Sequence, residues 1–582
     1  MNKGLNNITE MFLSIVTVQI FVIIASSLSS IVNGLVIGNN LSKTALAALG
    51  LVIPMITFLT AVAQIVSGGA GILCGNYMGR GEKEKINEVY STSIIILVFV
   101  SIIFTVLGIL FANPLAHLFG ANAETLADTA SYIRAMSIGI LPTLLLPCVF
   151  VFLQMCNKSV VSLILTIVLA VFNALLCLVD VHLLNGGIFG VGVATSISKY
   201  LTLLIAFIYV NRHKDLIEFK PSLFNRNMAI EILKVGSPSS LAGILYSIRN
   251  IFINNYAGVV GGTLAVNSLA ILSSCGGFLD AFNIGVGSTL TMLASVFIGE
   301  KDGNSLKKLI KTTIIIGMIF AGAKLAVVYL FGKPIALAFG ASGELVDSTV
   351  KLLRLYTWSA PPNIVTLVLI GIYQTLKKIT YCNIVYVFNA IITPLVCCTV
   401  LSKIFGIDAI YRLYYLAELV SITGMYVVAC IRNKKLVTSV DELMYLDKDL
   451  ATADKYSLTV RSIDGVVNVS EEIENFLKRQ GIDKRRSMMA GLCMEEMVGN
   501  VVEHGFIKDN KENSVDVFAY VENDEVSLRL RDNCVPFDPN TRKDIYDPED
   551  PCKNVGIRMV SKIAKEMNYN STFGMNVLTI KL

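Results

Sequence analysis

The chain has 582 residues, 54% of them hydrophobic and only 16% charged, with a mean hydropathy of +0.66. Soluble domains carry about 25% charged residues, so this composition excludes a wholly soluble protein and makes lipid the main solvent. The net charge of +5 describes no single region, because about half of the acidic residues fall after residue 450; no nucleic-acid partner is inferred from it.

The N-terminal MNKGLNNITEMFLSIV runs on without a small-residue cleavage site. Met11 onward therefore reads as a first spanning helix, not a removed signal. A bilayer core needs about 20 mostly apolar residues per helix. Such runs stand at 11–33, 47–72, 92–112, 132–154, 160–182, 190–210, 235–256, 266–290, 313–331, 352–373, 382–401 and 410–431, which makes an α-helical polytopic membrane protein of twelve spans. A run such as Ser91 to Phe111 has no polar face to offer water. The 12 cysteines form no metal-ligand spacing and no disulfide framework.

Lys and Arg crowd one set of alternate loops: Arg80, Lys83 and Lys85; Lys158; Arg212, Lys214, Lys220 and Arg226; Lys301, Lys307, Lys308 and Lys311; Lys377 and Lys378. The positive-inside rule makes these loops cytoplasmic, and both termini with them, in a plasma membrane. The spans also repeat. FANPLAHLFGANAETL at 111–126 matches FGKPIALAFGASGELV at 331–346, and Arg134, Pro142 and Gln154 match Arg354, Pro362 and Gln374 at the same offset. Two six-helix repeats are a signature of carriers that rock two halves about a site between them. The expected organisation is a transporter domain over 1–435 (lobes 1–212 and 230–435), a linker at 436–449 and a soluble domain at 450–582.

The texture changes near Asp449. KYSLTVRSIDGVVNVSEEIENFLKRQGI reads as a strand and an amphipathic helix, and Lys484 to Gly505 as a second helix. VDVFAYVENDEVSLRLRDN at 515–533 alternates like a hairpin. NVGIRMVSKIAKEMNY reads as a helix and NVLTIKL as a last strand. The whole predicts a small α+β sandwich.

In the membrane half, SIVNGLVIGNNLSKTALAALGLVIP at 30–54, GNYMGRGEKEKINEV at 75–89 and FNALLCLVDVHLLNGGIFGVGVAT at 172–195 resemble multidrug and toxic compound extrusion (MATE) transporters over roughly residues 10–435. The resemblance implies a cation site of two N-lobe carboxylates. This chain has Asn33 at one position and Cys177 at the other, four residues after Asn173. Neither amide takes up a proton at working pH, which puts proton coupling through that lobe in doubt. Asp280, in GGFLDAFNIG, lies where the family often has a C-lobe acid; a helix-end aspartate at headgroup level is the plainer alternative. Asn33, Asn173 and Asp280 are the cavity candidates. Lys324 is expected to snorkel to the surface, and Arg134 and Arg354 to cap outer helix ends.

In the tail, CMEEMVGNVVEHGF at 493–506 and RLRDNCVPFDP at 529–539 resemble motifs of the Bergerat-fold ATPases, in the anti-sigma-factor serine kinase version. Glu496 and Asn500 stand at i and i+4, on one helical face. The resemblance implies that Asn500 ligates Mg²⁺ on ATP, that Glu496 is a general base, and that Asp532 accepts from the adenine amino group. It also implies that Gly556, after Asn554, frees backbone N–H groups for phosphate, that KDIYDPEDPCK forms a lid, and that Asn576 belongs to the closing strand. Cys534 replaces a customary glycine, so phosphoryl transfer to Ser or Thr stays open. No Walker A sequence G-x-x-x-x-G-K-[ST] occurs, which excludes an ABC-type motor.

The expected function is a MATE-type carrier of a small organic compound, rocking by antiport and regulated by, or coupled to, an ATP–Mg²⁺-binding domain. The alternative is a transporter-like receptor whose kinase-like domain signals to an anti-sigma-antagonist-like cytoplasmic protein partner.

Overall fold

The structure, a computed structural model, describes residues 7–213, 217–446, 455–506, 513–522, 524–541 and 555–582. The spanning helices are α1 (Asn7–Asn40), α2 (Ile53–Arg80), α3 (Lys83–Leu110), the bent pair α4 (Leu126–Ile138) and α5 (Ile140–Met155), α6 (Ser159–Val179) and α7 (Gly187–Arg212). The second half repeats the plan with α8 (Arg226–Gly299), α9 (Gly303–Ala338), the bent pair α10 (Glu344–Thr357) and α11 (Ala360–Thr375), α12 (Ile379–Phe405) and α13 (Ile407–Asn433). Nine helices among the described residues are long and apolar enough to cross a bilayer, or 11 with each bent pair as one span. The 74-residue α8 breaks at Gly262 (φ 63°, ψ −161°) and so crosses twice, which completes the twelve spans expected. The two bent pairs, at 48° and 44°, are repeat partners. Pro361 and Pro362 open α11 in its first turn, where a missing N–H leaves no helical bond unmade.

The halves meet where α2 runs against both arms of α8, and the contact is made by glycine. A Cβ on Gly79 would stand 2.2 Å from the Val296 carbonyl oxygen, and one on Gly299 2.2 Å from that of Asn76. Gly69 and Gly236 meet in the same way, at 2.0 Å and 1.7 Å from the carbonyls of Ile232 and Ile65. Backbones of membrane helices approach this closely only over small residues. Gly79 and Gly299 stand at the repeat offset, so one glycine from each half closes this end of the bundle.

After α13 the chain turns back through α14 (Val440–Met444), started by Ser439 accepting from the Glu442 amide. Tyr445 stacks on Tyr381 at 4.2 Å between ring centroids, and its carbonyl accepts from Lys378 Nζ at 2.5 Å. The C-terminal domain follows as β1 (Lys455–Val460), α15 (Val469–Arg479), α16 (Lys484–Asn500), β2 (Val515–Glu522), β3 (Glu525–Asp532), α17 (Val555–Ile563), β4 (Glu566–Thr572) and β5 (Met575–Lys581). All pairings are antiparallel, in the order β1-β2-β3-β5-β4. One face of the sheet carries the helices: Val517, Leu528, Leu530 and Ile580 pack on Ile473, Leu477, Met494 and Val498.

One element differs from the sequence reading. NVGIRMVSKIAKEMNY does not continue as a helix to Tyr569; α17 ends at Ile563 and Glu566–Thr572 is a strand. Tyr569 and Met567 alternate with Asn568 and Asn570, and a tight turn at Phe573–Gly574 (φ 54° and 77°) delivers β4 to the edge of β5. Cross-strand pairing overrides the helical propensity of KIAKEM.

Candidate functional site

Strand alternation divides β3 between two jobs. Val526, Leu528, Leu530 and Asp532 face the helices, and Ser527, Arg529 and Arg531 face the transporter. On the helical side, α16 begins at Asp483, whose Oδ1 accepts from the Arg486 amide at 3.0 Å, and carries Glu496 and Asn500 one turn apart. It ends in a π turn over Val501–Gly505, with His504 exposed on it. That turn lies beside Cys534: a Cβ on Gly505 would stand 3.1 Å from Cys534 Cβ.

Asp532, 7% exposed, is aimed by its neighbours. Its Oδ1 accepts from the Cys534 amide at 3.0 Å and from Asn576 Nδ2 at 2.8 Å. Asn576 Nδ2 also donates to the Cys534 carbonyl at 3.0 Å, and Tyr569 Oη donates to Asn576 Oδ1 at 2.8 Å. Gly556 opens α17 against Glu496, since a Cβ there would stand 2.2 Å from Glu496 Oε2. The structure thus brings Gly556 against Glu496, and Gly505, Cys534, Asp532 and Asn576 together, with α16 and its π turn running from Glu496 and Asn500 to Gly505. Asn554 and the expected lid, KDIYDPEDPCK at 543–553, lie outside the described residues. Burial, with the Glu496 charge beside it, pushes the Cys493 thiol up to about 12, so Cys493 is a packing residue.

The other side of β3 is where sequence reasoning missed the decisive residues. Arg529 Nη1 donates to the Glu300 carbonyl at 3.1 Å, and its Nη2 to the Gly79 carbonyl at 3.3 Å. Arg531 Nη1 stands 3.4 Å from Glu300 Oε2 and 3.6 Å from Asp302 Oδ2, while its Nη2 reaches Ser305 Oγ at 2.9 Å and Asp516 Oδ2 at 3.4 Å. Glu300, Asp302, Arg529 and Arg531 are only 3%, 6%, 4% and 3% exposed. Burial works against the Asp302 charge, but the Arg531 guanidinium and hydrogen bonds from Ser305 outweigh it and hold the carboxyl below the ordinary value. Beside this cluster, Phe573 and Met575 press onto Met11, Met78, Val296 and Phe297. The only advance signal was an R-x-R on one strand face, which ordinarily means a solvated face.

Between the two halves lies a cavity of about 570 Å³. Gln19 Nε2 donates to Gln154 Oε1 at 2.9 Å, and Gln374 Nε2 to Ser239 Oγ at 2.9 Å, both at its wall. Asn173 is buried in α6 and accepts from Cys177 Sγ at 3.7 Å. The side chain of Asn33 lies outside what the structure describes. Asp280 is neither a helix-end residue nor solvated alone: Lys324 Nζ lies 2.7 Å from its Oδ1, and Tyr356 Oη donates to its Oδ2 at 2.5 Å. The expectation that Lys324 snorkels is therefore wrong. Its side chain is 3% exposed, because a carboxylate on α8 meets it inside the bundle. Arg134 and Arg354 do tie helix ends, to Asn113 Oδ1 at 3.2 Å and to the Tyr329 carbonyl at 3.5 Å.

The MatE family profile matches residues 19–179 and 238–399, more than half of the chain. The chain belongs to the MatE family. A profile of the histidine kinase-like ATPase domain matches residues 461–582, so this MatE transporter carries a fused kinase-like ATPase domain, of a family that implies ATP binding. The chain is 23% identical over 349 residues to the probable multidrug resistance protein YoeA of Bacillus subtilis, covering 58% of this chain and 74% of that one. It is 22% identical over 404 residues to the multidrug export protein MepA of Staphylococcus saprophyticus, covering 68% and 88%. The fold superposes on a MOP-superfamily transporter from Pyrococcus furiosus, described as having a binding pocket of reverse polarity, with a TM-score of 0.68 at 18% identity over 75% of this chain and 98% of that one. A solved outward-facing MATE transporter gives a TM-score of 0.69 at 18% identity, over 75% and 98%. Beside the two expected centres, this MatE protein has a third element, the arginine face of β3 against Gly79 and Glu300.

Proposed function

We propose that this MatE transporter carries a small organic compound across the plasma membrane by rocking its two lobes, and that ATP binding by the fused domain controls the closure at the cytoplasmic end. The loop charges support that orientation, with both termini inside. The division at 1–435, 436–449 and 450–582 belongs to the same reading, as does export, which the names of the relatives support.

One observation carries the control: Arg529 bonds the carbonyl of Gly79 in one lobe and that of Glu300 in the other. The lobes part at this end only if Arg529 lets one of them go. Asp532, the adenine-facing residue, is the next but two along the same strand, and Arg531 lies between them on the transporter face. A shift of β3 on filling the adenine site is transmitted to the lobes by the backbone itself.

The residues at the rim fit ATP–Mg²⁺. Asn500 would supply an amide oxygen to the metal, Asp532 an acceptor to adenine, and the N–H groups opening α17 at Gly556 a phosphate seat. A larger residue at that seat would have to displace the Glu496 carboxylate. When bound, ATP supplies a transferable phosphoryl group, and Glu496 is placed to accept a proton from an attacking hydroxyl. The test is flux in proteoliposomes with and without ATP inside or outside. ATP is expected to change flux in the wild type and not in Asp532→Ala or Arg529→Ala; no nucleotide binding by the full chain would remove the control altogether.

A receptor reading is favoured by the loss of acids at Asn33 and Cys177. It predicts no flux, with ligand-dependent phosphate transfer to a cytoplasmic protein partner that Glu496→Ala abolishes.

A further inference from the structure

We propose that the cavity between the lobes binds an uncharged, amphipathic molecule with hydrogen-bonding groups, not an organic cation. The proposal deepens the carrier reading, on which it rests only in calling the occupant a substrate.

Among the described residues, none that lines the cavity is Asp, Glu, Lys, Arg or His. Its polar atoms come from Gln19, Gln64, Gln154 and Gln374, with hydroxyls such as those of Ser239 and Tyr246. A carboxamide both donates and accepts, so this wall matches ethers, amides, carbonyls and alcohols. Gln154 and Gln374 are repeat partners, one from each half, and both are held in place: Gln154 by Gln19 and by Ser162 Oγ at 3.0 Å, Gln374 by Ser239 and the Val235 carbonyl at 3.1 Å. The remaining wall is apolar, with Ile72, Val151, Met292 and Leu367 among its members. At about 570 Å³ the space suits a molecule of drug size.

A cation placed there would lack a counter-charge, which low-dielectric surroundings penalise heavily. The acids inside the second half do not supply one. Asp280 is matched by Lys324 at 2.7 Å and bonded by Tyr356. Glu418 accepts from Asn363 Nδ2 at 3.1 Å, within reach of the Arg249 charge, and Arg249 Nη1 itself donates to Asn389 at 3.0 Å. Asp280 is paired with a cation, Glu418 is held by an amide, and neither is among the residues lining the cavity.

The test uses three probes on one tricyclic frame: acridone (uncharged), 10-methylacridinium (a fixed cation) and acridone-10-acetate (an anion). Binding to the full chain in phosphatidylcholine nanodiscs is read by fluorescence, with protein-free nanodiscs subtracted. Acridone is expected to bind at least about tenfold more tightly than either charged probe. Gln154→Leu with Gln374→Leu should weaken acridone about tenfold, and Gln64→Glu, on the exposed part of the wall, should strengthen methylacridinium by a similar factor. Absence of acridone binding overturns the proposal, as does a charged probe that binds as tightly to the wild type, or no gain for methylacridinium in Gln64→Glu. Counterflow of acridone reports separately on transport: binding without counterflow keeps the site and removes the carrier reading.

Discussion

Two seams close the same end of this molecule, and they are built from opposite materials. The seam between the lobes is glycine against backbone, with Gly79 on Val296 and Gly299 on Asn76. The seam between transporter and ATPase-like domain is buried charge, with Arg529 and Arg531 on Glu300 and Asp302. The first holds by shape and releases by sliding, since no charge has to be rehydrated. The second holds by paired charges that are expensive to separate, so it is either made or broken. On the proposed function, a lobe contact that slides easily, overlaid by a domain contact that does not, is what would let the domain control closure.

The comparison is broken most severely at the glycine seam. Gly79→Val or Gly299→Val inserts side-chain atoms where a single Cβ already meets a carbonyl. The closed end should be lost outright, with a destabilisation of about 3 kcal/mol or more, read as accessibility of cysteines introduced along α2. Next is Glu300→Ala, which takes the paired carboxylate from Arg529 and leaves Arg531 with Asp302 and Asp516. It should weaken docking by about 3–5 kcal/mol, read as protease release of the C-terminal domain, while the lobes themselves stay folded.

The seams should also separate by pH. The carboxyl of Asp302 lies below its ordinary value in the folded protein, so its contribution is complete above its unfolded pKa of about 3.9 and fades as pH falls through the lower folded value. Docking, followed by the same protease assay, should therefore be flat from about pH 8 to 5 and weaken only below about 4. The glycine seam should show no titration. The smallest effect is expected for Phe573→Asn. Asn relieves a positive φ but surrenders the contact with Met11 and Phe297, so a net loss of about 1 kcal/mol in docking is expected by the same assay.

The seams also show what a single sequence exposes. Spans and repeats were legible because apolar length and a fixed offset are local facts; the bends within Leu126–Met155 and Glu344–Thr375 were not. The placement of Glu496, Asn500 and Asp532 was legible because the first two share a helical face and the third closes a strand. Arg529 and Arg531 were not, because alternation tells which residues share a face and not what covers it. Lys324 pairs with Asp280 across two helices, and nothing local to either residue announces the other. β4 was lost because KIAKEM favours helix and only its pairing with β5 makes it a strand.

The stacking of Tyr445 on Tyr381 has a consequence for kinetics. It fixes the point from which the tail departs, and the nine residues from 447 to 455 span at most about 30 Å. A domain on so short a leash, once undocked, faces its own receptor surface at an effective concentration in the millimolar range. Escape is brief and recapture is quick. On the proposed function, a nucleotide would need only to tilt the fraction of time spent docked, and the transporter would answer in graded flux.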